Sequence, residues 1–299
     1  MLFLIALALS ASLFLIFRSF QKFRIHTFQA IVFNYWTCVL TALLYLGDFS
    51  ALQNISWQHL WVKVPLGLGF LFISTFYLMG FVAQNISVAA SSVASKISLI
   101  IPVVVNLVFF EHQDTFDWLN YVGLGLVFIA IFLTSYRPKN NQTASKANFW
   151  RNFILILAVF IMSGAIDTSI NWVSSVSAKD ETSQALFSML IFAVAGTIGL
   201  IILLKQVLAE QIQITLTNVV GGVILGIVNY FSVIFMILSL QKEFSGNGAF
   251  FFPLFNIAII LVSTFLAIII FREKLNSANR WGIVLAIIAI GAMAHQHIF

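Results

Sequence analysis

Charge is what this sequence has least of. Only 8% of its 299 residues are Asp, Glu, Lys or Arg, while 61% are hydrophobic. A soluble globular chain carries about 25% charged residues. So little charge cannot cover a water-facing surface, which excludes a soluble globular class. Cysteine is nearly absent as well. Cys38 stands alone, so no disulfide can form within the chain and redox compartment cannot be read from it. Enzyme motifs are missing: there is no HExxH, no Walker A loop, no paired-aspartate prenyl motif and no Cys/His set at metal-ligand spacing. No catalytic residue, metal or cofactor is therefore expected, and His295 and His297 read as part of a solvated tail. Basic residues are also lacking ahead of the first apolar run, MLFLIALALSASLFLIF. A secretory signal has its positive residues before such a run; here Arg18, Lys22 and Arg24 follow it, and the stretch reads as a retained first span.

The apolar runs that are present are continuous and about twenty residues long, the length of membrane-crossing helices rather than of barrel strands. Ten are expected, over roughly 2–17, 27–46, 63–83, 87–110, 118–136, 150–172, 184–204, 217–240, 248–271 and 281–297. The longest loop without apolar character, RPKNNQTASKAN from Arg137 to Asn148, falls at mid-chain. The expected fold class is all-α: a polytopic membrane protein of ten transmembrane helices in two inverted five-helix repeats. The first repeat is 1–136, the linker 137–149 and the second repeat 150–299. Five spans per half would insert the second half upside down relative to the first.

The net charge of +5 sets orientation and does not point to nucleic acid. Loops after odd-numbered spans carry Arg18, Lys22, Arg24, Arg137, Lys139, Lys146, Arg151, Lys205, Arg272, Lys274 and Arg280. Loops after even-numbered spans carry Lys63, Lys179 and Lys242. This bias expects the first set, including the central linker, in the cytoplasm and both termini outside. The expected location is the plasma membrane, or the inner membrane of a Gram-negative cell, as a multi-pass protein. Trp57, Trp61, Trp118, Trp150, Trp172 and Trp281 lie near span ends, as an aromatic belt would.

The chain repeats itself. A shift of 159 residues superposes Gly123 on Gly282, Leu126 on Leu285 and Ile129–Ala130–Ile131 on Ile288–Ala289–Ile290. The order is the same in both copies: apolar helix, short polar turn, Gly, apolar helix. The second copy, FREKLNSANRWGIVLAIIAIGA, closes the chain; in the first, Glu111 and Asp114 fall in the turn. With its five-plus-five layout, the chain resembles the EamA-type branch of the drug/metabolite transporter superfamily. The resemblance covers essentially the whole chain. It implies a transporter whose central cavity is lined by spans other than the fifth and tenth, for substrates ranging over amino acids, drugs, sugars, nucleotides and other metabolites.

Lys96 is the strongest single signal. It stands about 14 Å into the fourth span, where a lysine costs about 2.5–3.5 kcal/mol on insertion scales and normally faces protein or water. It is either a cavity cation that attracts carboxylate or phosphate, or a side chain that snorkels to the interface. Ser92 is one turn earlier on the same face. Pro102, six residues on, frees a backbone carbonyl in the preceding turn. Asp167 is the one acidic residue well within a span; helix rise separates its depth from that of Lys96 by roughly 10 Å. Asn34, Asn106, Asn229 and Asn256 lie in spans, where Asn often joins helices. Asn34–Tyr35 and Asn229–Tyr230 would also offer an organic ligand an aromatic wall with a polar tip. Pro253 is expected to break the start of the ninth span.

The candidate substrate-binding residues are thus Lys96, Ser92, Asn34, Tyr35, Asn229, Tyr230, Asn256 and Asp167. The partners expected are a small-molecule solute and the lipid bilayer, with no nucleic acid, for a monomer or homodimer. The sequence favours a secondary transporter for a small anionic or zwitterionic organic solute. The first span has no acidic residue to attract a cationic drug. An integral membrane enzyme acting on lipid, or a non-transporting sensor or scaffold, are the alternatives.

Overall fold

The structure, a computed structural model, describes residues 1–47, 52–53, 55–109, 117–135, 146–177, 181–210, 212–245 and 247–298. The turn holding Glu111 and Asp114 lies outside these residues, as do most of the central linker and the side chains of Asn106, His295 and His297. Among the described residues the elements are helices: α1 (Leu2–Lys22), α2 (Thr27–Leu46), α3 (Leu60–Lys63), α4 (Pro65–Asn85), α5 (Val88–Ile97), α6 (Ile100–Phe109), α7 (Trp118–Thr134), α8 (Lys146–Val176), α9 (Glu181–Glu210), α10 (Leu216–Lys242), α11 (Gly248–Phe271) and α12 (Ser277–Ile298). Among the described residues eight segments are long and apolar enough to cross a membrane, with α3–α4 and α5–α6 each counting as one; the apolar stretches of α7 and α12 are shorter. The protein is an all-helical, multi-pass membrane protein. Large apolar side chains such as Leu44, Tyr121, Phe265 and Ile269 are exposed along the helices, a surface that needs a lipid solvent.

Helix starts follow local chemistry. Ser87 caps α5 by accepting from Ala90 N–H at 2.8 Å, and Asp117 caps α7 by accepting from Asn120 N–H at 3.1 Å. Asn276 and Asn279 cap reciprocally at the start of α12, at 2.7 and 3.3 Å. Pro253 departs from expectation, because α11 runs through it unbroken. So near the helix start the missing N–H removes a single intrahelical bond, and Phe251 and Phe255 stack across the proline at 5.2 Å.

The chain divides into two compact units. One comprises Met1–Ser19, Leu78–Asp167 and Ser232–Phe299; the other, Phe20–Tyr77 and Thr168–Phe231. In the first, α7 packs on α12 and α5 on α11, with α5 also against α7 and α11 against α12. The buried face of α7 is Asn120, Gly123, Val127, Ala130 and Ile131. Adding 159 to each gives 279, 282, 286, 289 and 290; Asn279, Ala286, Ala289 and Ile290 are buried in α12, and Gly282 sits tightly against Thr134 and Ala130. The repeat seen in the sequence is therefore also a repeat of packing faces. The Asn279 amide donates to the carbonyls of Leu133 and Thr134 at 3.3 and 3.1 Å, satisfying the open end of α7.

In the second unit α2 and α3 pack on α9. Glycines permit the close approach. A Cβ on Gly69 of α4 would stand 2.5 Å from Val194 of α9, and one on Gly222 of α10 would stand 2.5 Å from the Ala30 carbonyl of α2. Trp61 is buried, 3% exposed, beneath the stacked ring of His59, so it is a packing residue and not part of an aromatic belt.

Candidate functional site

The site begins with a proline. Pro102 has no N–H to give to the Ser98 carbonyl four residues back, and the fourth span breaks there. α5 ends at Ile97, Ser98 caps it, Ile101 N–H closes a turn onto the Ser98 carbonyl at 2.9 Å, and α6 resumes at Ile100. Lys96 thus occupies the last turn of a half-helix inside the span. A helix C-terminus favours a cation, which offsets part of the penalty of a lysine at depth. Lys96 is partly buried, and the Asp167 carboxylate of α8 attracts it electrostatically. The Ser98 hydroxyl stands 2.6 Å from the Ser95 carbonyl and 3.4 Å from Asp167 Oδ2.

Counting helix rise from Trp150 set Asp167 well apart from Lys96. The structure brings them within electrostatic reach. The 31 residues of α8 rise about 46 Å, longer than a hydrocarbon core of about 30 Å. A helix of this length extends past the core, so counting residues from one end does not fix the depth of Asp167. Two further residues, missed from sequence, complete the approach. Gly164, one turn before Asp167, lies so close to Ile101 of α6 that a Cβ would meet the Ile101 Cβ at 2.7 Å. Ser163, one turn back on the Asp167 face, is buried with a hydroxyl that has no hydrogen-bond partner among the described residues. Asp167 itself is exposed although it faces the buried Ser98.

The start of α5 is held from two sides. Arg18 of α1 donates to the carbonyls of Ala83, at 3.4 Å, and Gln84 at the end of α4. Glu273, in the FREKL turn, accepts from Val88 N–H at 3.2 Å, where a carboxylate meets the positive end of α5. Burial is the largest influence on Glu273 and holds its carboxyl above the usual carboxylate range, against the Val88 and Ser87 hydrogen bonds and the charge of Arg18. At the other end of α1, Glu243 accepts from the Met1 amine and from Leu2 and Phe3 N–H. These bonds, the Met1 amine first, bring its carboxyl down to about 2.

Of the other sequence candidates, Ser92 is buried and turned back on its own helix, donating to the Ala89 carbonyl at 3.1 Å. Asn256 is largely buried on α11, which packs on α5. Asn34, Tyr35, Asn229 and Tyr230 belong to the second unit. There Asn229 donates to Asn34 Oδ1 at 3.3 Å, and Cys38 donates to the Gly226 carbonyl at 3.4 Å, a polar seam joining α2 and α10. Tyr35 is enclosed by Phe76 and Phe192, its hydroxyl without a hydrogen-bond partner among the described residues, and Tyr230 meets the ring of Tyr45. The Lys96–Ser98–Asp167 cluster is the group in which charge, accessibility and a broken helix coincide.

No family model matches the chain. A curated relative from Haemophilus influenzae, described as an uncharacterized protein, is 26% identical over 265 residues, spanning 88% of this chain and 86% of that one. A solved crystal structure of another protein superposes with a TM-score of 0.58 over 97% of this chain and 94% of that one, at 16% identity, which is a likeness of fold.

Proposed function

We propose that the protein is a secondary transporter for a small anionic or zwitterionic organic solute, working by alternating access in the plasma membrane. The observation that carries this is Lys96. A lysine held in the last turn of a broken half-helix, beside an accessible carboxylate, suits a solute's carboxylate or phosphate. Such a group would gain a charge-assisted hydrogen bond there. Broken helices within spans are a recurrent construction of transporter binding sites.

The wider proposal is ten crossings in two inverted halves, as in the EamA-type transporters the sequence resembles. Parity supports it. Met1 and Glu243 are in contact, so an even number of crossings separates them. With α7 counted there are eight: α1, α2, α3–α4, α5–α6, α7, α8, α9 and α10. Without α7 there are seven. Val88 and Glu273 give the same answer, with six crossings if α7 is included and five if it is not. Pairing supports it too: α2 with α9, α5 with α11 and α7 with α12 are spans two, four and five against seven, nine and ten.

The test is solute-dependent thermal stabilisation of the purified protein across a panel of amino acids, mono- and dicarboxylates, sugar phosphates and lipophilic cations, followed by flux of the hits in proteoliposomes. Saturable stabilisation and flux by an anionic or zwitterionic member is expected. Stabilisation by lipophilic cations alone would overturn the assignment.

A further inference from the structure

Building on the transporter assignment, we propose that Asp167 at the α5–α6 break is a proton site that competes with Lys96, so that the solute is a monovalent organic anion carried together with one proton. Three placements lead there. Asp167 is accessible while facing α5. Its Oδ2 is 3.4 Å from the Ser98 hydroxyl, at the point where Pro102 interrupts the span. Lys96, in the last turn of α5, is the charged group acting on it among the described residues. Ile101 of α6, which lies against Gly164, brings no titratable group.

The charge states then decide what can move. With the site empty, the Asp167 carboxylate neutralises the Lys96 ammonium. When a proton bonds to an Asp167 oxygen, that attraction ends and Lys96 is left with a net positive charge. A monoanion binding to Lys96 restores neutrality. The empty site and the doubly loaded site are neutral, while the site with proton alone or anion alone carries an unpaired charge. Occluding an unpaired ion away from water costs several kcal/mol. The neutral states are therefore the ones that rearrange, which ties one proton to one anion. A zwitterion would need no proton, because its ammonium and carboxylate would satisfy Asp167 and Lys96 together.

The experiment uses the full chain in proteoliposomes loaded with a pH-reporting dye, given acetate-like monocarboxylates, lactate-like hydroxy acids, dicarboxylates and neutral amino acids in turn. A monocarboxylate or hydroxy acid should enter with internal acidification, and an inward proton gradient should drive its accumulation. In Asp167→Asn, gradient-driven accumulation and the internal acidification should be lost, and the solute exchange that remains should no longer depend on pH. Thermal unfolding and size-exclusion profiles of the variant show that it is folded. Anion entry without acidification, or entry of neutral amino acids alone, would overturn the proton site and leave the transporter assignment standing. Loss of all exchange in a folded Asp167→Asn would likewise overturn it, making Asp167 a solute ligand. Movement of no member of the panel would count against the transporter assignment itself, and this inference with it.

Discussion

The Ser98 hydroxyl and Asp167 Oδ2 stand 3.4 Å apart at the place where Pro102 leaves a carbonyl without its helical donor. Two helices distant in sequence meet at a backbone defect, and the defect is what places Lys96 at a helix end. If the break serves function, repairing it should separate stability from activity. Pro102→Ala permits a continuous α5–α6 helix, so thermal stability should rise, by up to about 3 kcal/mol for a helix-interior proline. Solute flux should fall, since Lys96 would lose its terminus. Flux unchanged in the more stable variant would show that the break is incidental.

Gly164 controls how closely α8 approaches the start of α6. Gly164→Val should destabilise the protein by about 1–3 kcal/mol through overpacking against Ile101 and should weaken solute binding by moving Asp167 away from Ser98. Ile101→Ala in the same chain should restore part of both. Paired thermal unfolding and binding titrations check this, and no rescue by the second substitution would place the effect elsewhere.

The start of α5 is a separate matter of stability. Ser87→Ala should cost about 1 kcal/mol as a lost N-cap. Glu273 adds a pH dependence whose sign follows from its burial. Because its carboxyl is held above the ordinary value of 4.5, the ionised form is disfavoured in the fold. Stability is full below 4.5 and declines as pH rises through the elevated value. Thermal stability should therefore increase on going from neutral pH toward about 4.5, and Glu273→Gln should flatten that slope. An equal slope in the variant would remove Glu273 as its source.

The α7–α12 seam offers a test of the packing repeat. Asn279→Ala leaves the Leu133 and Thr134 carbonyls without their partner and should cost about 1–3 kcal/mol. Asn120→Ala, its counterpart at the 159-residue shift, should cost less, because its buried Oδ1 has no hydrogen-bond partner among the described residues. Denaturant or thermal unfolding of the two variants reads this directly; a loss at Asn120 as large as that at Asn279 would contradict it.

Much of this architecture was legible in the sequence because bilayer length and the 159-residue shift are linear signals. Lys96, Asp167 and Pro102 stood out because charge and proline are rare in apolar spans. What joins them was not legible. The depth of Asp167 depends on how far α8 overhangs the membrane, which apolar run length does not record. Ser98 is identifiable only as the residue four before a proline, and Gly164 only once Ile101 is known to lie against it. Trp61 carries the same belt signal as Trp57, yet tertiary contact buries one and leaves the other exposed. The Asn34–Asn229 seam shows the same limit, since an Asn in a span looks alike whether it meets another helix or a ligand.

The central claim is that Lys96 receives the solute's negative charge. Its most direct measurement is flux of the stabilising solute into proteoliposomes for wild type, Lys96→Ala and Lys96→Arg, each confirmed folded by size-exclusion. Lys96→Ala should lose transport severely, and Lys96→Arg should retain part of it, because arginine keeps the charge with a different shape. Undiminished flux in Lys96→Ala would contradict the account, leaving Lys96 as a side chain that reaches for the membrane interface.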